Sequence, residues 1–261
     1  MQTAHRTDAG LIRLINEDRA AVRDEFNGFT LAIVADGMGG HQAGEIASQM
    51  AIELVETEMR SVLTADMNVE QRKDTVRGAI SVANDRVFEI ASKQARYQGM
   101  GTTVVAALAT STDLVIGHIG DSRAYLVSDG SIRQLTEDHS LVNELIKSGQ
   151  ITQEEASFHP LRNVVTRALG TDKQVDVDVV HTEWRTGDVL LLCSDGLSGL
   201  VGEAELYSVI TDSRDLHGKV DRLVERALEE GGGDNITVVL LANDKLGGAD
   251  VTTDPGRRDD A

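Results

Sequence analysis

The chain has 261 residues, enough for one large domain with a substantial core or for two small ones. Its 41% hydrophobic and 26% charged residues are ordinary for a globular protein, but 43 acidic against 25 basic residues leave a formal charge of −18. Such a surface disfavours nonspecific binding to nucleic acid or to an anionic membrane, both of which need a positive face, and suits divalent cations.

A single cysteine, Cys193, excludes an intrachain disulfide framework and fits a reducing compartment. It sits inside the apolar run Val189-Leu190-Leu191-Leu192-Cys193 and reads as a buried small hydrophobe, not a nucleophile. Met1-Gln2-Thr3-Ala4-His5-Arg6 lacks the apolar core of a signal peptide. No segment approaches the ~18 consecutive apolar residues of a membrane span, so a cytoplasmic protein is expected.

In chain order, residues 3–26 mix polar and apolar positions without a clear period and carry Arg13 ahead of the acidic pair Glu17-Asp18. The apolar run from Phe29 to Ala35 predicts a buried strand that ends at Asp36 and enters the glycine-dense turn Gly37-Met38-Gly39-Gly40-His41. Ile46, Met50, Leu54 and Val55 then recur at helical spacing up to about Leu63. A second helix is predicted over about Val69–Gln94, with Val76, Ile80, Ala83, Val87 and Ile90 on one face.

A strand-rich block follows: Gly101–Leu108, Leu114–Ile119, Arg123–Val127 and Ile132–Leu135, the last two joined by Ser128-Asp129-Gly130-Ser131, a hairpin signal. Residues 138–170 are polar, irregular to helical, and punctuated by His159-Pro160, which predicts a surface excursion that shapes access to a site. Val189–Cys193 reads as a strand, about 203–210 and 216–230 as helices, and Ile236–Leu241 as a closing strand. Apolar periodicity stops after Asp244. Strands that are apolar on both faces, with two helices before and two after, predict an α+β layering with sheets inside and helices outside. Short turns between consecutive strands predict antiparallel pairing.

Four aspartates share one pattern, an apolar run beside Asp and a small or turn-forming residue: Asp36-Gly37, Asp121-Ser122, Asp195-Gly196 and Asp234-Asn235. Asp234 precedes its strand, which an antiparallel sheet brings to the same edge. With Glu17 and Asp18 they make a candidate cluster of up to six carboxylates. Asp-Gly is also an ordinary turn pair, and Asp129-Gly130 is an internal example with no function required of it. Carboxylates gathered within ~4–6 Å raise one another's pKa unless cations neutralise them. Hard oxygen donors without a Cys/His set point to Mg²⁺ or Mn²⁺, and two such ions bridged by water would supply a hydroxide nucleophile and clamp a phosphoryl oxygen. Arg13 is either a surface ion-pair partner or a bidentate phosphate dock. His41 is either a solvent-facing histidine or a general acid. A dinucleotide fingerprint fails because Gln42 stands at its third glycine, and a P-loop fails because Glu45 stands where the lysine belongs.

The ordered set of Arg13 with Asn16-Glu17-Asp18, Asp36-Gly37-Met38-Gly39-Gly40-His41, Gly101-Thr102-Thr103, Gly120-Asp121-Ser122-Arg123, Ser194-Asp195-Gly196-Leu197 and Gly233-Asp234-Asn235 resembles the metal-dependent serine/threonine protein phosphatases of the 2C type, in particular their bacterial branch. The resemblance covers about residues 5–242. It implies a four-layer α-β-β-α sandwich of two antiparallel sheets flanked by helices, with a phosphatase catalytic domain over 1–243 and a disordered C-terminal tail over 244–261. It also implies two to three Mn²⁺ or Mg²⁺ ions. By motif, Asp36 would bridge two ions, the Gly37 carbonyl would bind one of them, and Asp195 and Asp234 would complete the first ion's set. Glu17 and Asp18 would serve the second ion directly or through water, and Asp121 with Asp195 would hold a third. Arg13 matches the phosphate-binding arginine, and 138–170 the variable flap.

Animal relatives place a histidine after Asp-Gly where this chain has Met38, which leaves His41 or a water as the acid. The activity implied is hydrolysis of phosphoserine and phosphothreonine in proteins, opposing bacterial Ser/Thr protein kinases. The expected partners are phosphorylated proteins, including such a kinase and its substrates, with no nucleic acid and no membrane segment. The expected state is a monomer. A non-catalytic phosphoprotein binder on the same fold and a hydrolase of small phosphate esters are the rival readings.

Overall fold

The computed structural model describes residues 1–39 and 43–244. The chain opens with three strands, β1 (Gln2–Asp8), β2 (Asp18–Phe26) and β3 (Phe29–Met38), followed by two long helices, α1 (Ala43–Val62) and α2 (Val69–Lys93). Then come β4 (Gly101–Thr102), β5 (Val104–Ala109), β6 (Asp113–Ile119), β7 (Arg123–Ser128) and β8 (Ser131–Gln134). Two short helices, α3 (Leu141–Lys147) and α4 (Gln153–Ser157), precede β9 (Asp178–Glu183) and β10 (Val189–Cys193). The remaining elements are α5 (Asp195–Ser198), α6 (Glu203–Ile210), α7 (Leu216–Glu229) and β11 (Ile236–Ala242).

One sheet has the order β1-β11-β10-β7-β8 and the other β2-β3-β5-β6-β9, with β4 added to β3; all pairings are antiparallel. Val34, Val105, Ile116, Leu126, Leu192 and Val239 fill the space between the sheets. Ile33, Leu108, Val55, Met59 and Ile80 pack between the second sheet and α1 and α2. Leu191, Leu240, Leu206, Leu223 and Val224 do the same between the first sheet and α6 and α7. The layering is the expected α-β-β-α sandwich. It explains why β5 and β11 are buried at every position, since each is covered on both faces.

Local signals account for most elements. Ala43, Ala47, Ala51, Val55 and Met59 put a narrow apolar stripe on α1. Asn68 and Gln71 close a reciprocal capping box at the start of α2. The two-residue turns Asn27-Gly28 (φ 53° and 91°) and Asp129-Gly130 (φ 49° and 75°) have the positive φ at both centres that matches strand twist in a hairpin.

The structure corrects the sequence reading in several places. Residues 3–26 contain β1 and β2, and β9 also lacks a forecast. All three lie at sheet edges and bury few side chains, so their sequences carry little alternation. The run 101–108 is two strands divided at Thr103, because the Thr103 amide and hydroxyl bond the backbone of Asp36 instead of continuing one ladder. β3 runs past Asp36 to Met38, so Asp36 stands within the strand and not at its end. Cys193 is buried as expected. His41 and 245–261 lie outside the described residues. No helix among the described residues is long and apolar enough to cross a membrane.

Candidate metal centre

The sandwich brings the forecast carboxylates to one edge. Asp18 opens β2 and stands opposite Asp36 in the β2–β3 register. Asp121 follows β6, Asp195 follows β10 as the first residue of α5, and Asp234 lies just before β11. Because β10 and β11 are antiparallel neighbours, the end of one meets the start of the other. Arg13, Glu17, Asp36, Gly37, Asp121, Asp195 and Asp234 all line one cavity of about 280 Å³, while Asp18 is fully buried behind it. All of the forecast site residues that are described therefore converge.

Glycine is required where β3 meets α1. A Cβ on Gly37 would stand 2.0 Å from the Gly44 carbonyl oxygen, and one on Gly44 would stand 2.4 Å from Glu17 Oε1. The absence of both side chains lets the start of α1 sit against Glu17, where the Gly44 backbone favours the charged carboxylate.

The electrostatics are those of a site built for cations. Burial, reinforced by neighbouring Asp195 and Asp234, pushes Asp18 up to about 7 against the opposing hydrogen bond from Ser194. Burial and Asp195 push Asp121 up to about 7. Burial, with Asp18, Asp195, Asp121 and Asp234 nearby, holds Asp36 well above the usual carboxylate range. Burial also raises Asp195, with Asp234 adding to it, and raises Glu17 against the pull of Arg13. Glu17 Oε1, Asp18 Oδ1 and Asp195 Oδ1 are buried and have no hydrogen-bond partner among the described residues. Orphaned carboxylate oxygens cost stability unless a cation meets them, and an all-oxygen donor set fits Mg²⁺ or Mn²⁺.

The family model for protein phosphatase 2C matches residues 9–240. The chain belongs to the protein phosphatase 2C family. It is 42% identical to the serine/threonine phosphatase stp of Listeria monocytogenes, over 94% of this chain and 96% of that protein. It is 37% identical to protein phosphatase PhpP of Streptococcus pneumoniae, over 93% and 97%. Among solved structures, the serine/threonine phosphatase of S. agalactiae superposes with a TM-score of 0.86 at 36% identity, covering 92% of this chain and 98% of that one. The catalytic domain of the phosphatase PstP, solved with two manganese ions, superposes at 0.77 with 36% identity, covering 92% and 96%. The family is metal-dependent, in accord with the donor set.

Several side chains of this protein phosphatase 2C that support the carboxylates have no role in the sequence reading. Ser194 Oγ donates to Asp18 Oδ2 at 2.7 Å and accepts from the Thr237 amide at 3.0 Å. Thr103 Oγ1 accepts from the Asp36 amide at 3.0 Å and bonds Ser122 Oγ at 2.7 Å. Asn235 Oδ1 accepts from the Glu17 amide at 2.8 Å, while its Nδ2 donates to the carbonyls of Ala9 and Ile15, each at 3.0 Å. It thereby ties down the segment that carries Arg13. The available signal is position: Ser122, Ser194 and Asn235 each adjoin one of the aspartates, while Thr103 lies in the separate Gly101-Thr102-Thr103 motif.

Behind Asp121, the Gly120 amide donates to His139 Nδ1 at 3.0 Å, so His139 carries its proton on Nε2 and donates it to Asp178 Oδ2 at 2.9 Å. Arg167 Nη2 donates to the same Asp178 oxygen at 3.1 Å. His118 stacks on His139 with ring centroids 4.7 Å apart and bonds the Glu137 carbonyl through Nε2. His118, His139 and Asp178 could in principle gather around an ion. Both nitrogens of His139 are already engaged, however, and Asp178 is shared with Arg167, so the group reads as a brace on the Gly120–Asp121 turn.

The flap forecast over 138–170 carries α3 and α4 and borders a second cavity of about 720 Å³, which shares Asp121, Asn163 and Asp195 with the first or its rim. Its base is pinned by Arg123, which grips Asp138 with Nε and Nη2 and reaches the Tyr125 hydroxyl with Nη1. Arg13 Nη2 donates to Asp234 Oδ2 at 2.8 Å, at the cavity mouth and half exposed.

Proposed function

We propose that the chain removes phosphate from phosphoserine and phosphothreonine in proteins, with Asp36, the Gly37 carbonyl, Asp195, Asp234, Glu17 and Asp18 holding two divalent ions and Asp121 with Asp195 a third. The observation that carries the reading is the set of buried, partnerless oxygens on Glu17, Asp18 and Asp195, gathered around Asp36. Bound Mn²⁺ or Mg²⁺ would supply Lewis-acid polarisation of the phosphoryl group and an activated water.

The chain's own residues do the rest. Arg13 stands at the mouth, and its bond to Asp234 uses one N–H of a planar fork. The remaining donors suit bidentate capture of phosphoryl oxygens, so Arg13 orients the ester and stabilises charge as it develops. The carboxylates are ionised when cations are present, and their negative charge keeps a second anion out of the cavity unless cations offset it. Each substrate phosphate carries about −1.5 to −2 charge, so binding depends on Arg13 and on the loaded carboxylates together. The leaving seryl or threonyl oxygen takes its proton from His41 or from water. The reading includes a monomeric, cytoplasmic protein that acts on a Ser/Thr protein kinase and on that kinase's substrates.

Phosphate release from a phosphothreonine peptide, measured with Mn²⁺, with Mg²⁺ and with EDTA, tests the activity. Release is expected with metal and none with EDTA, and Asp36→Asn or Asp195→Asn is expected to abolish it. Full activity in either variant would sink the metal assignment. A large preference for nucleotides over phosphopeptides would move the substrate class.

A further inference from the structure

Segment 9–16 is anchored at both ends and bare between them. The Leu11 amide donates to the Gly232 carbonyl at 2.8 Å, and Asn235 holds the carbonyls of Ala9 and Ile15. The intervening side chains do not fold inward: Leu11 is 65% exposed, Ile12 69%, Leu14 100% and Ile15 41%. Leu161 and Val164, on either side of Asn163 in sequence, are 47% and 41% exposed, and Asn163 lines the same cavity as Arg13. Of the ten exposed large hydrophobic residues among those described, seven fall within 11–15 and 158–164. Single exposed aliphatics are commonplace, but concentration on two segments that border one opening marks an interaction surface.

We infer that this apolar rim docks the polypeptide on either side of the phosphorylated residue, so that the enzyme favours phosphorylation sites flanked by aliphatic or aromatic side chains. The inference rests on the reading above, in which Arg13 receives the phosphate. Arg13 sits between Ile12 and Leu14 in sequence, and its guanidinium reaches Asp234 at the cavity mouth. An extended peptide advances ~3.3 Å per residue, so a phosphoryl group held there brings the residues one to three positions away over Ile12 and Leu14 on one lip or Leu161 and Val164 on the other.

Charge narrows the choice of occupant, and the exposed aliphatic rim decides it. A chain of net charge −18 repels a second copy of itself, an anionic bilayer and acidic flanking residues alike. Apolar flanks gain burial without that opposition.

The test uses the metal-loaded protein and two phosphothreonine peptides of equal length, one with Leu and Ile at the positions flanking phosphothreonine and one with Ser and Gly there. p-Nitrophenyl phosphate serves as the substrate without flanks. The wild type is expected to show kcat/KM about tenfold higher for the aliphatic peptide. The double variant Ile12→Ser/Leu14→Ser is expected to lose most of that advantage through KM, with an unchanged melting temperature and little change toward p-nitrophenyl phosphate. Equal wild-type rates on the two peptides, or a preference that survives the double substitution, would overturn the inference. An equal loss on all three substrates would assign Ile12 and Leu14 to the general integrity of the site and also overturn it. Wild-type dimers in sedimentation, dissolved by the same substitutions, would give the rim to a second copy instead. Absence of turnover on every substrate would overturn the phosphatase reading itself, a result distinct from loss of the preference.

Discussion

Ser194 Oγ donates to Asp18 Oδ2 at 2.7 Å, a hydrogen bond that crosses from the end of β10 in one sheet to the start of β2 in the other. It fixes one oxygen of Asp18 and leaves Oδ1 without a partner among the described residues. Ser194→Ala removes that restraint and one acceptor for the Thr237 amide. Loss of a hydrogen bond that orients a metal ligand costs about 10–100-fold in metal affinity. The Mn²⁺ concentration for half-maximal phosphate release is expected to rise by that order, with a smaller change in the rate at saturating metal. Titration of the purified variant with Mn²⁺ checks both.

Asp36 and Asp195 pull stability and function in opposite directions. Both are buried beside other carboxylates, and their raised pKa values record first the cost of burying a charge and then repulsion from those neighbours, both of which the metal-free fold must carry. Asp36→Asn is expected to abolish metal-dependent activity while raising the melting temperature measured in EDTA. Added Mn²⁺ should stabilise the wild type far more than the variant. A variant less stable than the wild type in EDTA would contradict this account of the repulsion.

Asn235 joins three backbone groups in the segment that carries Arg13 and Glu17. Asn235→Ala leaves the Glu17 amide and two carbonyls without that partner, at about 1–3 kcal/mol for each group that stays buried. A clear drop in melting temperature is expected, together with a rise in KM for phosphopeptide. Asn235→Asp, which keeps an acceptor for the Glu17 amide but loses both donors, should fall between the two. Calorimetry and peptide kinetics on the pair of variants separate the roles of the two ends of the side chain.

The stacked pair His118 and His139 should set a pH limit on the fold. Burial lowers the pKa of both, only partly offset at His118 by the Glu137 carbonyl and at His139 by Asp178. The unfolded chain therefore takes up protons first as pH falls below about 6.5, which is the ordinary histidine value. The contribution of these rings to stability is complete above that pH and declines as pH drops toward the folded-state values. His139→Asn keeps an acceptor for the Gly120 amide, and His118→Gln keeps a donor for the Glu137 carbonyl. The double variant is expected to show a flatter melting-temperature profile between pH 6.5 and 5 than the wild type.

The motif aspartates are legible in the sequence because each joins an apolar run to a turn-forming neighbour, and the sandwich leaves those junctions at a shared edge. Asp129 has the same local pattern and ends in an exposed hairpin, so the local pattern finds candidates and only their convergence selects among them. The supporting residues are not legible because their partners are remote. Ser194 and Asp18 are 176 positions apart, and Asn235 and Glu17 are 218 apart. The edge strands escape for a related reason. β1 buries only Ala4, and β2 buries Asp18, Ala21 and Phe26, so neither offers the alternation by which a strand is recognised. The exposed leucines and isoleucines around Arg13 raise the opposite difficulty, since a sequence alone does not distinguish an aliphatic run left in water from one bound for a core.

The placement of β11 between β1 and β10 has a consequence for biosynthesis. The first sheet lacks an inner member until residues 236–242 have left the ribosome, although its outermost member is made within the first ten residues. Pairings so distant in sequence form late. Asp195 and Asp234 sit at the end of the β10–β11 pair that this insertion completes, so a nascent chain ending short of it would carry both without the strand pairing that sets them beside Asp18, Asp36 and Asp121. Enzymatic competence should therefore switch on abruptly with release of the last strand, and ribosome-stalled chains ending before it should be inert.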